Sequence, residues 1–403
     1  MYSCKTYCLI VFIFSSLFSF AQEDDFTSQY VDARSYALYS NKSWDGLILL
    51  GDSALQKEID YYYLRMRMGI ALYEQKKYLL AKGHFEKAIE FNSFEDLPKE
   101  YLFYCYFFTE QYEESRVLAR KFKIDLKNKL NYNKWKSVDL FSFDLGSKMT
   151  VSSEVPNASY ANVALGHYVG NRVYLYHAYT YFHQGSSDWF WAINQNQYYV
   201  KASLALKNNW NLALSFHLIG RDLLSYPFVN NFAPKTVEPT STKTSNYVSS
   251  FHLKKNFKKF EYSVGSTVLW LDSLYQFQHN VGATFFPLAN KKVSIGVNCF
   301  AHTMDSYSQL HFAFSPFISF KPSSKFSVYS SYLYNTVNNI AEWNGALVNN
   351  APDLTTGRFT LNSVIRLNDK WDLSATYQYE MKRSTFTSDY TFNSIFVGLK
   401  FKP

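Results

Sequence analysis

Residues 369–382 read DKWDLSATYQYEMK. In an extended chain Trp371, Leu373, Ala375, Tyr377, Tyr379 and Met381 share one side, and Asp372, Ser374, Thr376, Gln378, Glu380 and Lys382 share the other. Side chains alternate across a strand, so this period of two specifies strands with one apolar and one polar face. The pattern recurs from about residue 131 to the C-terminus. Trp210, Leu212, Leu214, Phe216 and Leu218 alternate with Asn211, Ala213, Ser215 and His217. Phe260, Tyr262, Val264, Val268 and Trp270 alternate with Glu261, Ser263, Gly265 and Thr267, and Phe359, Leu361 and Ile365 with Arg358, Thr360, Asn362 and Arg366.

Two architectures produce such ladders. A soluble sandwich buries the apolar face between sheets, whereas a membrane barrel turns it to lipid and its polar face to the lumen. The ladders span about 10 to 14 residues, nearer the roughly 9–11 of a tilted membrane strand than the 5 or 6 usual in soluble sheets. Their apolar face is rich in Tyr, Phe and Trp, and the whole chain is 19% aromatic with 34 Tyr and 36 Phe. Those rings suit a membrane–water boundary. The turns KNNW, FKKF, ANKKV, SSKF and NDKW each set a bulky residue just beyond a polar bend, at Trp210, Phe260, Val293, Phe326 and Trp371, which predicts an interfacial girdle. The chain closes on a last ladder of Ile395, Val397, Leu399 and Phe401.

These features predict a closed antiparallel transmembrane barrel over 131–403. A lipid-exposed edge would leave backbone groups unpaired, so the sheet must close and the strand number should be even. VGNR at 169–172 and the five turns above join twelve strands. An opening strand between 137 and 155 and a closing one from about 389 to 402 bring the count to 14, with 12 and 16 as alternatives. The longest connections, about 220–244 and 338–354, are expected outside, and the tight turns on the periplasmic side. Pro316 lies within a ladder and is expected to need a bulge there.

Residues 22–130 follow a different rule. ALYSNKSW (37–44), ALYEQKKY (71–78) and CYFFTEQY (105–112) are spaced by 34 residues and align Trp44, Tyr78 and Tyr112. That period resembles tetratricopeptide repeats, stacked antiparallel helix pairs. In the middle copy Gly69, Ala71, Tyr78, Ala81, Phe85 and Ala88 occupy the small and large positions of that pattern, while Gly51, Ala119 and Phe122 depart from it in the outer copies. The resemblance implies a face that binds a peptide or docks a neighbour.

The first 21 residues carry Lys5, an uncharged run from Leu9 to Phe20, and Ser19-Phe20-Ala21. This is a secretory signal pattern, shorter than the roughly 20 residues of a membrane helix. Cys105 and Cys299 are then small apolar fillers in unrelated segments rather than a disulfide or a metal site. The net charge of +8 is spread along the chain, so no nucleic-acid partner is read from it. No metal, phosphate-loop or nucleophile-elbow motif is found, no cofactor is expected, and His279, His302 and His311 are the only hint of catalysis.

A signal segment, helical repeats and a C-terminal barrel together look like the exopolysaccharide export porins and the smaller YaiO-like barrels. The resemblance implies an outer-membrane protein with periplasmic repeats that dock a partner and a barrel that conducts a polymer. It would be a monomer whose partners are outer-membrane lipid, the barrel insertion machinery and a periplasmic protein. Lys201, Glu261, Arg358, Arg366, Asp372, Glu380 and Lys382 would line the lumen of such a conduit, or pair with one another across a filled one. The alternative is a scaffold whose barrel is only an anchor.

Overall fold

The computed structural model describes residues 26–130, 138–170, 172–186, 190–226, 238–304, 307–350, 353–384 and 388–403. The expected signal segment, Asn171 of the VGNR turn and residues 227–237 of the 220–244 connection lie outside them, while the flanks of that connection belong to strands. Seven helices come first: α1 (Ser28–Ser40), α2 (Trp44–Gln56), α3 (Tyr62–Glu74), α4 (Tyr78–Phe91), α5 (Leu97–Phe108), α6 (Tyr112–Ala119) and α7 (Ile124–Lys129). Trp44, Tyr78 and Tyr112 each open the second helix of a pair, which is why they align in sequence. The turns within the pairs repeat as well. Lys42, Lys76 and Glu110 all have positive φ, and Ser43, Lys77 and Gln111 donate to the carbonyls of Leu38, Leu72 and Tyr106 at 2.8, 2.8 and 2.9 Å. Each first helix thus ends on a left-handed residue that satisfies its free carbonyls.

Close packing holds the pairs together. A side chain on Gly69 would come within 2.7 Å of Phe85 Cε1, and a side chain on Gly51 would meet Met68. Phe85 is fully buried and stacks on Tyr101 with centroids 5.1 Å apart, while Ala71, Ala81 and Ala88 complete the interior. Tyr78 packs on Tyr73 and Phe108, and Trp44 on Tyr39. Cys105 is buried among these helices.

The barrel strands are β1 (Leu140–Met149), β2 (Ala158–Val169), β3 (Val173–Ser186), β4 (Trp191–Ala205), β5 (Trp210–Ser225), β6 (Thr240–Phe257), β7 (Phe260–Leu271), β8 (Leu274–Phe285), β9 (Val293–Met304), β10 (Tyr307–Phe320), β11 (Phe326–Asn335), β14 (Leu354–Arg366), β15 (Trp371–Arg383) and β16 (Tyr390–Phe401). Between β11 and β14 lies a two-residue pair, β12 (Ala341–Glu342) and β13 (Leu347–Val348). The 14 long strands form one closed antiparallel sheet in which each pairs with its sequence neighbours and β1 pairs with β16, Phe141 opposite Phe401. The opening strand is continuous through Gly146.

The ladders place their faces as the alternation requires. Leu214, Phe216, Tyr262, Val264, Ile395, Val397 and Leu399 are exposed on the outside, whereas Ser250, Thr267, Thr360, Asp372, Gln378 and Ser394 are buried within. An outer wall of this composition is stable only against hydrocarbon. Six connections at one end are tight: 170–172, 206–209, 258–259, 286–292, 321–325 and 367–370. Just beyond them Trp371 packs on Phe401 at 4.7 Å and Phe260 on Phe285 at 5.1 Å, making the aromatic girdle. Pro316 causes no bulge: the β9–β10 and β10–β11 registers run straight through it, and the ladder toward β11 simply omits Ser315 and Pro316. The shifts fall instead between Tyr307 and Leu310 and between Thr355 and Gly357.

Val397, 50% exposed and opposite Leu145 and Ala375, sits midway along the lipid-facing band. Val397→Arg is expected to cost about 2–4 kcal/mol of folding into a bilayer. Urea titration of the protein refolded into phospholipid vesicles checks this, and an unchanged midpoint would place this wall away from lipid.

Candidate functional site

The connection between β11 and β14 does not point outward. Residues 336–350 fold back into the barrel and cross its interior. Their apolar side chains find matching ones on the inner wall: Val337 and Ile340 pack with Phe300, Ala313 and Leu333, and Ala341 and Val348 pack with Val248, Leu269 and Leu271. Burial of apolar groups on an otherwise polar wall is the physical reason for the inward course. Backbone groups of the segment are then satisfied by strands on several sides. Gln278 Nε2 donates to Ala341 O at 2.6 Å and its Oε1 accepts from Ala341 N at 3.0 Å. Tyr199 and Ser215 hydroxyls both donate to Asn344 O, and His217 Nδ1 lies 2.9 Å from Gly345 O. Gly345 has φ +76 and approaches Ser250, where a Cβ would lie 2.8 Å from Oγ, so only glycine suits this close crossing.

A buried ionic network fastens the segment. Glu342 pairs with Arg358, which also faces Glu380 at 3.7 Å, and Glu380 in turn takes Lys148 at 2.7 Å. Lys382 Nζ donates to Thr355 Oγ1 at 2.7 Å. Buried charges demand pairing of this kind, because each isolated one carries a desolvation penalty of several kcal/mol. Toward the loop end, Trp191, Ile193, Leu223, Asn350 and the Arg221–Asp272 pair bound a cavity of about 460 Å³.

The tight-turn end is covered by the helices. Leu79 N donates to Ala289 O at 2.9 Å, and Leu79 packs with Phe286 and Ala289 of the β8–β9 turn. Tyr106 donates to Asn209 Oδ1 at 3.2 Å, Arg116 lies 3.9 Å over the Tyr168 ring, and Glu110 pairs with Lys321 at 2.5 Å. Charges crowd this junction. Burial opposes ionisation of Glu110, but Lys321, Lys291 and Lys402 outweigh it and hold its carboxyl below the usual range. Burial pushes Glu113 up, with Lys254 and Lys201 opposing. Burial also lowers Lys82, against Glu86 and Glu114, and its Nζ donates to Gln111 Oε1 at 3.0 Å.

The residues singled out in the sequence separate into three groups. Arg358, Glu380 and Lys382 meet in the buried network under the inward segment. Asp372 and Arg366 pair at 3.2 Å near the turn end, where Lys402 also reaches Asp372 at 2.6 Å. Glu261 lies 3.5 Å from both Lys254 and Lys291, and Lys201, which stands over the Tyr176 ring, faces Glu113 of the cap. Gly69, Ala71, Ala81, Phe85 and Ala88 are helix-pair interior, with Trp44, Tyr78 and Tyr112 at helix starts. Glu342, Gln278, His217 and Gly345 escaped the sequence reading. The available signal was the set of apolar residues at inward positions, Val248, Leu269, Leu271, Phe300 and Leu333, which interrupts otherwise polar faces.

The histidines occupy unrelated settings. His302 is buried inside with Nε2 3.0 Å from Gln276 Oε1. His279 faces outward with Nδ1 2.9 Å from Ser266 Oγ, and among the described residues no carboxylate or amide hydrogen bond orients its ring.

A closed, even-stranded antiparallel barrel with an apolar exterior and a polar interior defines the class: an outer-membrane-type β-barrel, here with a helical domain covering one end. No protein-family model matches the chain, and no curated protein sequence does. Among solved structures it is similar to TodX, the toluene transporter of Pseudomonas putida, at TM-score 0.42 and 8% identity over 68% of this chain and 90% of that one. A deltaS2S3 mutant of the TodX monoaromatic hydrocarbon channel gives 0.45 and 9% over 68% and 91%. The CymD monoaromatic hydrocarbon channel gives 0.44 and 6% over 66% and 89%.

Proposed function

We propose that this protein is a conduit for a polymer or solute across the outer membrane, held closed here by its own segments. The inward 336–350 segment narrows the lumen, and the helical domain, placed in the periplasm in this reading, caps the turn end. The observation that carries the reading is the character of the interior. Eight strands already leave a barrel that side chains can fill, and 14 leave more room. The added space is crossed by the 336–350 segment rather than filled by side chains of the wall alone. Asn246 Nδ2, Gln276 Nε2, His302 Nδ1 and Ser394 Oγ are buried with no hydrogen-bond partner among the described residues. Buried polar groups of this kind are commonly satisfied by water, which supports a hydrated interior in this reading.

Planar-bilayer recordings test the proposal. The intact chain is expected to open rarely, and a chain with residues 338–349 replaced by a short Gly-Ser linker is expected to show discrete conductance steps. Silence of both, with the barrel correctly inserted, removes the conduit.

A second reading is favoured by the helix pairs. Their stacked form supports a periplasmic scaffold in which the repeats grip a partner protein and the barrel is an anchor. Deleting residues 27–125 would then abolish function while the barrel still inserts, and crosslinking through the helices would recover one dominant protein.

A further inference from the structure

We propose that the turn-side mouth of the barrel binds polyanions, and that the chain's own acidic segment Glu110–Glu114 occupies that mouth as a tethered competitor. The inference rests on the conduit reading and adds the chemistry of its cargo: a polymer or solute carrying several carboxylate or phosphate groups.

The charge of this end is one-sided. The six tight turns hold nine Lys or Arg residues, among them Lys258, Lys259, Lys291 and Lys321, against a single acid, Asp369. Inside the rim, Lys201, Lys254, Arg366, Lys400 and Lys402 point into the mouth, with Glu261 and Asp372 as their acidic partners on neighbouring strands. Lys201 and Lys400 have no ion pair with a barrel carboxylate among the described residues. Glu261, Asp372, Asp139 and Asp144 offset part of this charge, but with the turns included cations remain in excess, and a concave rim with an excess of one sign concentrates ions of the other.

The part of the cap that meets these cations is acidic, beside Arg116 over Tyr168. Glu110 pairs with Lys321 at 2.5 Å. The helix carrying Glu113 and Glu114 packs on β4, within electrostatic reach of Lys201, Lys254 and Lys291 and without an ion pair to them among the described residues. Three carboxylates within five residues are spaced as on a short polyanion, and they meet cations from β4, β6 and two turns. The apolar part of the junction is small, centred on Leu79, Phe286 and Ala289. The cap is held by one half-exposed ion pair, Glu110–Lys321, and by a few hydrogen bonds and a small apolar contact, so it is displaceable: that pair is weakened by salt and exchanged by a competing anion. The left-handed turn at Glu110 sets the segment's approach, so the same repeated turn that builds the helix pairs aims these carboxylates at the rim.

Short-chain polyphosphate is the probe, titrated calorimetrically into the detergent-solubilised full chain and into the Glu110→Gln, Glu113→Gln, Glu114→Gln triple variant. With the competitor neutralised, apparent affinity is expected to rise about tenfold or more, as when a binding-competent state is released from an occluded one. Adding Lys201→Gln and Lys254→Gln to the triple variant should reverse that gain. In the unmutated chain, polyphosphate should speed proteolysis within 109–123 by freeing the cap, and neutral dextran of similar length should not. Equal polyphosphate affinity in the intact and triple-variant chains, or no binding by either, overturns the proposal, as does proteolysis indifferent to polyphosphate. Conductance is read separately: polyphosphate binding without any conductance step sinks the conduit alone, and conductance steps without the affinity gain sink the competitor alone.

Discussion

Arg358→Leu is expected to free the 336–350 segment from the lumen. The change removes the partner of Glu342 and one partner of Glu380, leaving Glu342 with no opposite charge in a buried site. Breaking a buried pair from one side costs about 3–5 kcal/mol, because the remaining charge keeps its desolvation penalty without its partner. Glu380 keeps Lys148 at 2.7 Å, so the wall itself should hold. The cost therefore falls on the inward conformation of the segment, which can escape by carrying Glu342 to water. A cysteine at Asn344, whose backbone carbonyl accepts from Tyr199 and Ser215, should change from protected to rapidly labelled by a water-soluble maleimide. Glu342→Leu in the same chain should restore most of the protection, since two apolar residues need no pairing. Labelling that stays slow in Arg358→Leu would show that the apolar contacts of Val337, Ile340 and Ala341 suffice.

The second large effect is expected in the helical domain. Phe85 is fully buried, lies against Gly69 and stacks on Tyr101, so Phe85→Ala opens a cavity at the centre of the middle pair. Such truncations cost about 3–5 kcal/mol, and a stack of three helix pairs has little stability to spare. The helical ellipticity of the full chain should then be lost at a much lower temperature, while the barrel core survives protease. Phe85→Leu should lose much less. Joint melting of helices and barrel in Phe85→Ala would mean that the junction at Leu79 and Glu110 couples the two parts more strongly than their contacts imply.

Much of this architecture could be read from the chain. The alternation in β5, β7, β14 and β15 placed Leu214, Val264, Leu361 and Tyr377 outside and Ser215, Thr267, Thr360 and Gln378 inside. Six bulky residues or small turns marked one end, and counting them led to 14 strands. The 34-residue spacing anticipated helix starts at Trp44, Tyr78 and Tyr112. Other features resisted. Residues 338–354 were expected outside because loop length alone favours that side, yet Ile340 found Phe300 and Ala313, and Ala341 found Val248, Leu269 and Leu271, on strands well separated from them in sequence. Pro316 was expected to force a bulge, but a strand can omit two ladder positions without shifting register.

By itself the sequence determined what is periodic. Side-chain alternation and the helix-pair spacing act between near neighbours, so each ladder and each turn carries its own evidence of face, length and end. Only the tertiary structure decided what fills and covers the barrel. Glu342 meeting Arg358, Gly345 crossing over Ser250, and Glu110 reaching Lys321 across 211 residues depend on closure of the sheet, which alone brings those positions together.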